Sequence, residues 1–360
     1  MKKLTALSIS LIVCLVIEFP FTVVASEIGE GDAQSRIEAT EPGEEVVNIY
    51  SERKEELILP LLDRFSEETG IKVNMITGEG DALIKRLEIE GDNSPADVLL
   101  TTDVARLYRA KSLGLLQPVE SKLVLSVVPE NFRDSENEWF GLSLRARVIV
   151  YARDRVKPEE LSTYEALANP EWKKRICVRS SSNAYNQSLV ASMIVHNGME
   201  TTEEWAKGLV DNFARRPKGG DRDQIKAVAV GECDIALVNT YYLGGMLHSK
   251  IKTESGAARK VALFWPNQSG RGAHFNVSGI GVTRSADHRD EAIRLIEFLL
   301  SDQSQAWYAE ANFEYPVKPG IPPSETLRQW GSYKADKVKL DQLGQHNAEA
   351  VRLMDRAGWK

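Results

Sequence analysis

Two short segments of this sequence place tyrosines at the same distance from a cysteine. Cys177 is followed eight residues later by Tyr185, and Cys233 is followed eight residues later by Tyr241, with Tyr242 directly behind it. A phenol can donate or accept a hydrogen bond, stack on a ligand or, once deprotonated, offer an anionic oxygen to a hard metal ion. An adjacent tyrosine pair is also common in ordinary aromatic packing. The residues alone therefore leave packing, ligand contact and metal binding open.

The segments around these tyrosines predict how they are positioned. Each cysteine lies in a short apolar run, ICV or CDIALVN. If these runs are neighbouring parallel strands, both tyrosines leave at the carboxyl end of the sheet, where open α/β folds build ligand sites. Successive strand residues point to opposite faces, so a shared site requires the second strand to end at Thr240. The glycines at 244 and 245 allow a tight turn after Tyr242, and SSSN before Tyr185 supplies helix N-cap candidates.

Features of known enzyme families are missing from the sequence. It contains no G-x-S-x-G elbow, no phosphate-binding P-loop, no H-E-x-x-H and no C-x-x-C, and its five histidines are scattered without metal-ligand spacing. The formal net charge is −7. An acidic chain of this kind is not expected to bind nucleic acid or an anionic membrane surface.

The N-terminus predicts export. Two lysines precede an apolar run that closes on Ala25 and Ser26, which is typical of a secretory signal peptide over residues 1–26, with an uncleaved membrane anchor as the alternative. Its removal would change the net charge to about −8, because Lys2, Lys3 and Glu18 are lost. Residues 27–45 are acidic and almost free of large apolar side chains, which predicts a flexible tether.

Export also bears on the cysteine pair. The cysteines that remain after signal-peptide removal are Cys177 and Cys233. An even pair in an exported chain predicts a disulfide, with two buried free thiols as the alternative.

From Val46 onward, predicted strands and helices alternate, which indicates an α/β fold with a mostly parallel sheet. The segment WFGLSLRARVIVYA predicts one long strand. The mature chain, about 334 residues, is longer than one hydrophobic core usually organises, so we expect two lobes. Predicted helices cover residues 55–69, 81–90, 186–197, 221–230, 290–300 and 302–311.

Over residues 46–360 the chain resembles the periplasmic ferric-ion-binding proteins of ABC transporters, within the larger group of two-lobed extracytoplasmic solute-binding proteins. The resemblance rests on segments that occur in the same order here, and those around the tyrosines resemble the ferric branch. These segments include VVNIYSER, SPADVLLTTD, FRDSENEWFGLSLRARVIVY, ICVRSSSNAYNQSLVASMI, NTYYLGGM, NVSGIGV and YPVKPGI.

The resemblance implies that Tyr185, Tyr241 and Tyr242 bind Fe(III) as phenolates. Other members of the family add a His or Tyr just after the first strand, but residues 51–55 read Ser-Glu-Arg-Lys-Glu and contain neither. The chain therefore resembles members that complete the iron site with a carbonate or bicarbonate held by arginines.

For that anion the matching position is Arg145, with Arg53 and Ser51 as helpers. Arg147 lies on the same face of a regular strand and is the competing candidate. Glu52 or Glu55 as a direct iron ligand is a further possibility.

The resemblance also implies a domain layout. One lobe comprises residues 46–144 and about 270–319, and the other comprises residues 145–269 and about 320–360, with iron in the cleft between them. The chain would cross between the lobes near residues 142–146 and 273–278, and the second lobe would carry the tyrosines.

The implied function is delivery of ferric ion by a monomer to an inner-membrane ABC permease, without enzymatic activity. The rivals are a protein of the same fold that binds an organic or phosphorylated anion, and an exported enzyme of unrecognised type. Ferrous ion ranks behind ferric ion as the metal, because three phenolates suit the higher charge.

Overall fold

The computed structural model describes residues 45–360 together with the two-residue strand Ser35–Arg36. The predicted signal peptide, residues 1–26, lies outside the described residues, as does most of the predicted tether. Within the tether, Ser35 and Arg36 pair antiparallel with Ile76 and Met75.

Strands and helices alternate along the described residues, as predicted. The strands are β1 (Ser35–Arg36), β2 (Val46–Ser51), β3 (Lys72–Thr77), β4 (Val98–Thr101), β5 (Leu116–Gln117), β6 (Phe140–Ala152), β7 (Ile176–Cys177), β8 (Ile235–Asn239), β9 (Val261–Phe264), β10 (Phe275–Thr283) and β11 (Tyr315–Pro316). The helices are α1 (Leu59–Thr69), α2 (Gly80–Glu90), α3 (Val104–Ser112), α4 (Lys122–Val127), α5 (Ala184–Asn197), α6 (Met199–Asp211), α7 (Asp221–Ala229), α8 (Thr240–Leu247), α9 (Lys252–Lys260), α10 (Arg289–Leu299), α11 (Asp302–Asn312), α12 (Glu325–Arg328), α13 (Leu340–Gln345) and α14 (Asn347–Arg356).

The sheet is mixed and flanked by helices, which confirms the α/β class. Parallel pairing joins β2 to β3 and to β4, and β7 to β8. The strands β6 and β10 instead run antiparallel to each other and to their neighbours. The βαβ pattern in the sequence predicted the parallel pairs, whereas the antiparallel ones depend on contacts between distant segments.

Strand β6 belongs to two groups of strands. Its first part pairs with β10, up to Ala146 opposite Phe275, and its second part pairs with β8 and β9, beginning with Arg147 opposite Asn239. All its residues are buried, including the charged side chains of Arg145 and Arg147. The predicted long strand is therefore the element that the two halves of the molecule share.

The tyrosine-bearing segments fold as neighbouring parallel strands that lead into helices. Strand β7 ends at Cys177, β8 ends at Asn239, and helix α8 begins at Thr240, where the strand was predicted to stop. Cys177 and Cys233 form a disulfide with a Cα–Cα distance of 5.9 Å. The disulfide prediction is thus confirmed over the free-thiol alternative.

The tight turn that the glycines after Tyr242 would allow does not form. Helix α8 continues through Gly244 and Gly245, and neither residue has a positive φ. Gly244 is explained by space instead. A Cβ at this position would lie 2.6 Å from the Cβ of Phe313, which packs directly on the helix.

The last helices pack against both halves of the molecule. Helix α13 contacts α3 as well as α5, while α14 contacts α5 and α6. Gly344 of α13 lies so close to the Tyr108 ring of α3 that no side chain fits between them. The C-terminal segment was predicted to return to the second lobe. It also contacts α3, which follows β4 in the predicted first lobe.

The buried His274, whose backbone carbonyl accepts from the Arg147 N–H, predicts a pH dependence of stability. Its side chain is 3% exposed, and burial together with the nearby Arg147 and Arg145 guanidiniums lowers the pKa of His274 to about 3. The unfolded chain binds this proton below about pH 6.5 whereas the folded chain does not, so stability falls as the pH falls. From this residue alone, we expect the free energy of unfolding to fall by about 1.4 kcal/mol per pH unit between pH 6 and 4.

The measurement is urea unfolding at several pH values for the wild type and for His274→Asn. The variant should lose part of the acid sensitivity, whereas the same change at the half-buried His346 should not. Identical pH profiles for the wild type and His274→Asn would contradict the assignment.

Candidate functional site

Three tyrosine side chains meet at the carboxyl end of β7 and β8. The hydroxyl groups of Tyr185 and Tyr241 are 3.1 Å apart. The rings of Tyr241 and Tyr242 lie 4.2 Å apart between centroids, with 31° between their planes. All three line the same cleft. Phenol oxygens are thus collected at a cavity rather than distributed through the core.

The tyrosines take these positions because α5 and α8 both begin at this edge of the sheet. A buried network fixes the two helix starts: the Arg147 guanidinium donates to Asn186 Oδ1 at 2.8 Å and to Asn239 Oδ1 at 3.3 Å. Arg147 also forms an ion pair with Asp221, at 2.9 Å between Nη1 and Oδ1. Asn186 follows Tyr185 directly, and Asn239 precedes α8. Arg147 therefore supports the tyrosine elements from behind.

Two of the phenols resist ionisation in this structure. Burial raises the pKa of Tyr241 well above its usual value, and the neighbouring Tyr185 raises it further. Burial likewise raises the pKa of the Tyr242 phenol, with the nearby Tyr185 and Asp221 adding to the effect. Both groups are protonated at neutral pH until a cation in the cleft favours the phenolate form.

Arg53 and Arg145 converge on one serine at the opposite wall of the cleft. The Ser278 hydroxyl oxygen accepts from Arg53 Nη1 at 2.8 Å and from Arg145 Nη1 at 3.1 Å. Arg53 is also ion-paired with the buried Glu314, at 2.5 Å between Nη2 and Oε2. Burial disfavours the charge of Arg53, but Glu314 outweighs this and holds its pKa above the usual range.

Arg145 is less completely satisfied than Arg53. Among the described residues its Nε and Nη2 have no hydrogen-bond partner, although the side chain is only 3% exposed, and Nη2 lies 4.0 Å from Asp103 Oδ2. Its guanidinium lies 5.1 Å from the centroid of the Tyr185 ring. A buried guanidinium with free donors beside three phenols is suited to hold a small anion.

The other sequence candidates either lie outside the cleft or are bonded to other groups. The buried Ser51 hydroxyl bonds the backbone of Arg53 and does not line the cleft. Glu52 lines the cleft, but its Oε2 accepts from the Thr102 backbone N–H at 2.7 Å and its carboxyl group packs on Gly80. Glu55 begins a short 3₁₀ helix outside the cleft lining. Arg147 is committed to the network behind the tyrosines.

Among the residues that line the cleft, Ser278, Glu314 and Arg179 were not identified from the sequence. Ser278 and Glu314 orient the arginines, and Arg179 places its guanidinium 5.7 Å from the Tyr185 ring centroid. Ser278 and Glu314 lie far along the chain from their partners. Only Arg179, six residues before Tyr185 in the same loop region, carried a local signal that could have indicated it.

Direct contacts join the two walls beside this site. Ser188 of α5 donates to Asp103 at the start of α3, at 2.8 Å to Oδ2, and Asn276 of β10 donates to the same oxygen at 2.9 Å. Arg106 Nη1 donates to Gln187 Oε1 at 3.1 Å. The helix that carries Tyr185 is thereby bonded to the start of α3.

The cleft has a volume of about 740 Å³ and faces solvent on one side. Within the part of the chain that the structure describes, no group of three or more His, Cys, Asp and Glu side chains could hold a metal ion. For a metal in this region, the phenols are therefore the candidate protein donors. Over the same residues, no helix combines the length and the apolar character needed to cross a membrane.

The model of one protein family, bacterial extracellular solute-binding protein, matches residues 93–334. Among characterised proteins, the chain is 51% identical over 323 residues to Iron uptake protein A1 of Synechocystis sp. This match covers 89% of the present chain and 90% of the relative.

Solved structures of iron-binding proteins also resemble this chain. The Trichodesmium protein IdiA (FutA), in complex with iron and citrate ligands, superposes with a TM-score of 0.84 at 49% identity, over 88% of this chain and 100% of that one. The ferric binding protein from Campylobacter jejuni superposes with a TM-score of 0.85 at 38% identity, over 87% and 100% of the two chains. The predicted two-lobed binding-protein fold is confirmed by this likeness.

Proposed function

Because this chain belongs to the family of bacterial extracellular solute-binding proteins, we propose that it captures ferric ion in the periplasm and delivers it to an ABC permease. The protein would act as a carrier and not as an enzyme. The observation that carries the proposal is the convergence of Tyr185, Tyr241 and Tyr242 on one cleft, with Tyr185 and Tyr241 in hydroxyl contact. The likeness to iron-binding relatives supports the same conclusion.

The chemistry of the site suits Fe(III). Ferric ion is a hard cation that prefers anionic oxygen donors, and three phenolates balance its three charges in a partly buried cleft. Because the pKa values of Tyr241 and Tyr242 are raised, metal binding must displace their protons. Protons therefore compete with iron, and affinity should fall as the pH is lowered.

A carbonate completes the proposed site. Arg145 would donate its unpaired Nε and Nη2 to the anion, and Arg53 would contribute positive charge from its position beside Ser278. Ser51 would help only indirectly, by holding the backbone of Arg53. A planar carbonate matches the fork of a guanidinium, which accounts for the choice of arginine at this position.

The proposed lobes keep the bounds expected from the sequence, residues 46–144 with about 270–319 and residues 145–269 with about 320–360. The first would bring Arg53 to the cleft, and the second would bring the tyrosines. Strand β6 changes partners between Ala146 and Arg147, which is where the crossover is proposed. Closure of the lobes would complete the site, and the permease would recognise the closed form.

The test is a titration of the protein, as a monomer freed of metal, with chelated ferric ion in the presence and absence of bicarbonate. We expect a visible phenolate-to-iron charge-transfer band that is stronger with bicarbonate. Arg145→Gln should remove the bicarbonate dependence and lower the iron affinity by roughly 10- to 100-fold, the range seen when a group that orients a metal site is changed. Arg222→Gln, at an exposed arginine of the same cleft, is the matched control.

Absence of a visible band under both conditions would contradict iron capture and favour a protein of this fold that binds an organic anion. A band that is equally strong without bicarbonate would support the iron site but contradict the proposed role of carbonate.

A further inference from the structure

Phe313 lines the cleft and packs on α8, the helix that carries two of the tyrosines. Its ring stacks on His248 with 4.9 Å between centroids and 17° between planes. Its Cβ and Cγ also lie against Gly244, where a methyl group would approach them to 2.6 and 2.7 Å. A residue at the end of α11 therefore occupies a space on α8 that only glycine leaves open.

The contacted surface is the face of α8 that presents Tyr241. Residues three, four and seven positions apart lie on one side of a helix. Tyr241, Gly244 and His248 have this spacing. Phe313 therefore contacts the same face of α8 as Tyr241, and a displacement of Phe313 is expected to affect the position of Tyr241.

The residues on either side of Phe313 are bonded to the other wall of the cleft. The Asn312 side-chain amide donates to the Leu57 carbonyl oxygen at 3.0 Å. Glu314 pairs with Arg53 and accepts from the Ser143 hydroxyl at 2.8 Å. Three consecutive residues thus join the wall that holds Arg53 to the helix that holds Tyr241.

The backbone of Phe313 is held in an unfavourable conformation. Its φ of 55° and ψ of 36° lie in the left-handed region, which a bulky side chain rarely adopts. Such a conformation persists when the surrounding contacts require it. Here the left-handed residue ends α11 and turns the ring toward α8.

We propose that Phe313 is a positioning residue for iron binding: its ring holds the Tyr241 face of α8 against the Arg53 wall and so slows release of the metal. Because the contact joins the two walls, it would favour the form in which they are together over a more open form. This inference rests on the proposed ferric function, but the contact itself can be tested without metal.

The test compares Phe313→Asn with the wild type. Asparagine tolerates the left-handed conformation, so the variant removes the ring and keeps the backbone. We expect ferric ion to be released to a competing chelator about tenfold faster, because changes at an interface act mainly on dissociation. Loss of the visible band measures this release. The wavelength of the band should not change, since the tyrosines remain, and Phe313→Tyr should restore slow release.

Gly244→Ala is the second variant, and it distinguishes the contact from a general loss of stability. Alanine favours the helix more than glycine does, yet its methyl group would push Phe313 away, so release should again accelerate. In the Phe313→Asn background the same change should have little further effect. Phe132→Asn, at a half-buried aromatic outside the cleft, is the matched control.

Two outcomes would overturn the proposal: unchanged release in both Phe313→Asn and Gly244→Ala, or equal acceleration in Phe132→Asn. A spin-label distance measurement between the two walls, made without metal, separates this proposal from the ferric function. Phe313→Asn should broaden that distance toward open forms even if no iron binds. An unchanged distribution would reject the positioning role.

Discussion

Replacing Tyr241 by phenylalanine is expected to lower the affinity for ferric ion by more than about 100-fold. This exceeds the loss that is typical for a residue that only contacts a metal ligand. The variant keeps the ring and its packing on Tyr242 but removes the hydroxyl that meets Tyr185. An anionic donor is lost, and the charge of the bound iron is no longer balanced. Tyr185→Phe and Tyr242→Phe should have comparable effects, and the triple variant should show no visible band.

The measurement is competitive titration against a chelator of known affinity, with the charge-transfer band as the signal. Tyr333→Phe is the matched control, because Tyr333 stacks on Trp265 and Phe275 and does not line the cleft. A triple variant that binds iron with an unaltered band would show that the tyrosines are not the ligands.

Loss of the Asp221 carboxylate should have the largest effect on stability. Asp221→Ala leaves the guanidinium of Arg147 buried beside two asparagines without an opposite charge at hydrogen-bond distance. Breaking a buried ion pair in this way destabilises a protein by about 3–5 kcal/mol. Because the same network fixes the starts of α5 and α8, the variant should also weaken iron binding.

The free energy of unfolding, from denaturant titration of the metal-free protein, tests this expectation. The exposed Asp211 provides the control, since Asp211→Ala at the end of α6 should stay within about 0.5 kcal/mol of the wild type. A change below about 1 kcal/mol in Asp221→Ala would mean that Arg147 finds another partner or is neutral to folding.

Local patterns in the sequence were sufficient to predict the tyrosine-bearing part of the fold. The apolar runs before Tyr185 and Tyr241 are parallel strands, the second strand ends before Thr240, and Cys177 and Cys233 form a disulfide. Cys177 nevertheless lies opposite Ala236 in the strand register, so the equal spacing from cysteine to tyrosine does not follow the pairing. These features depend on residues close together in the chain. The assignment of the tyrosines to iron required the family resemblance, because spacing alone did not distinguish ligands from packed aromatics.

The opposite wall could not be predicted in the same way. Ser278 and Glu314 are 225 and 261 residues from Arg53, and no periodicity connects them. Gly244 was misinterpreted for a related reason. A glycine after two tyrosines favours a turn when only neighbouring residues are considered, whereas here the deciding contact comes from Phe313, in a distant helix end.

The shared strand β6 has a consequence for how the molecule comes apart. Residues on one side of Ala146 complete the strands around β10, and residues on the other side complete those around β8. Unfolding of one group of strands therefore exposes the buried end of β6 that the other group depends on. The proposed lobes would move about this strand, yet they are expected to denature as one cooperative unit in a single transition.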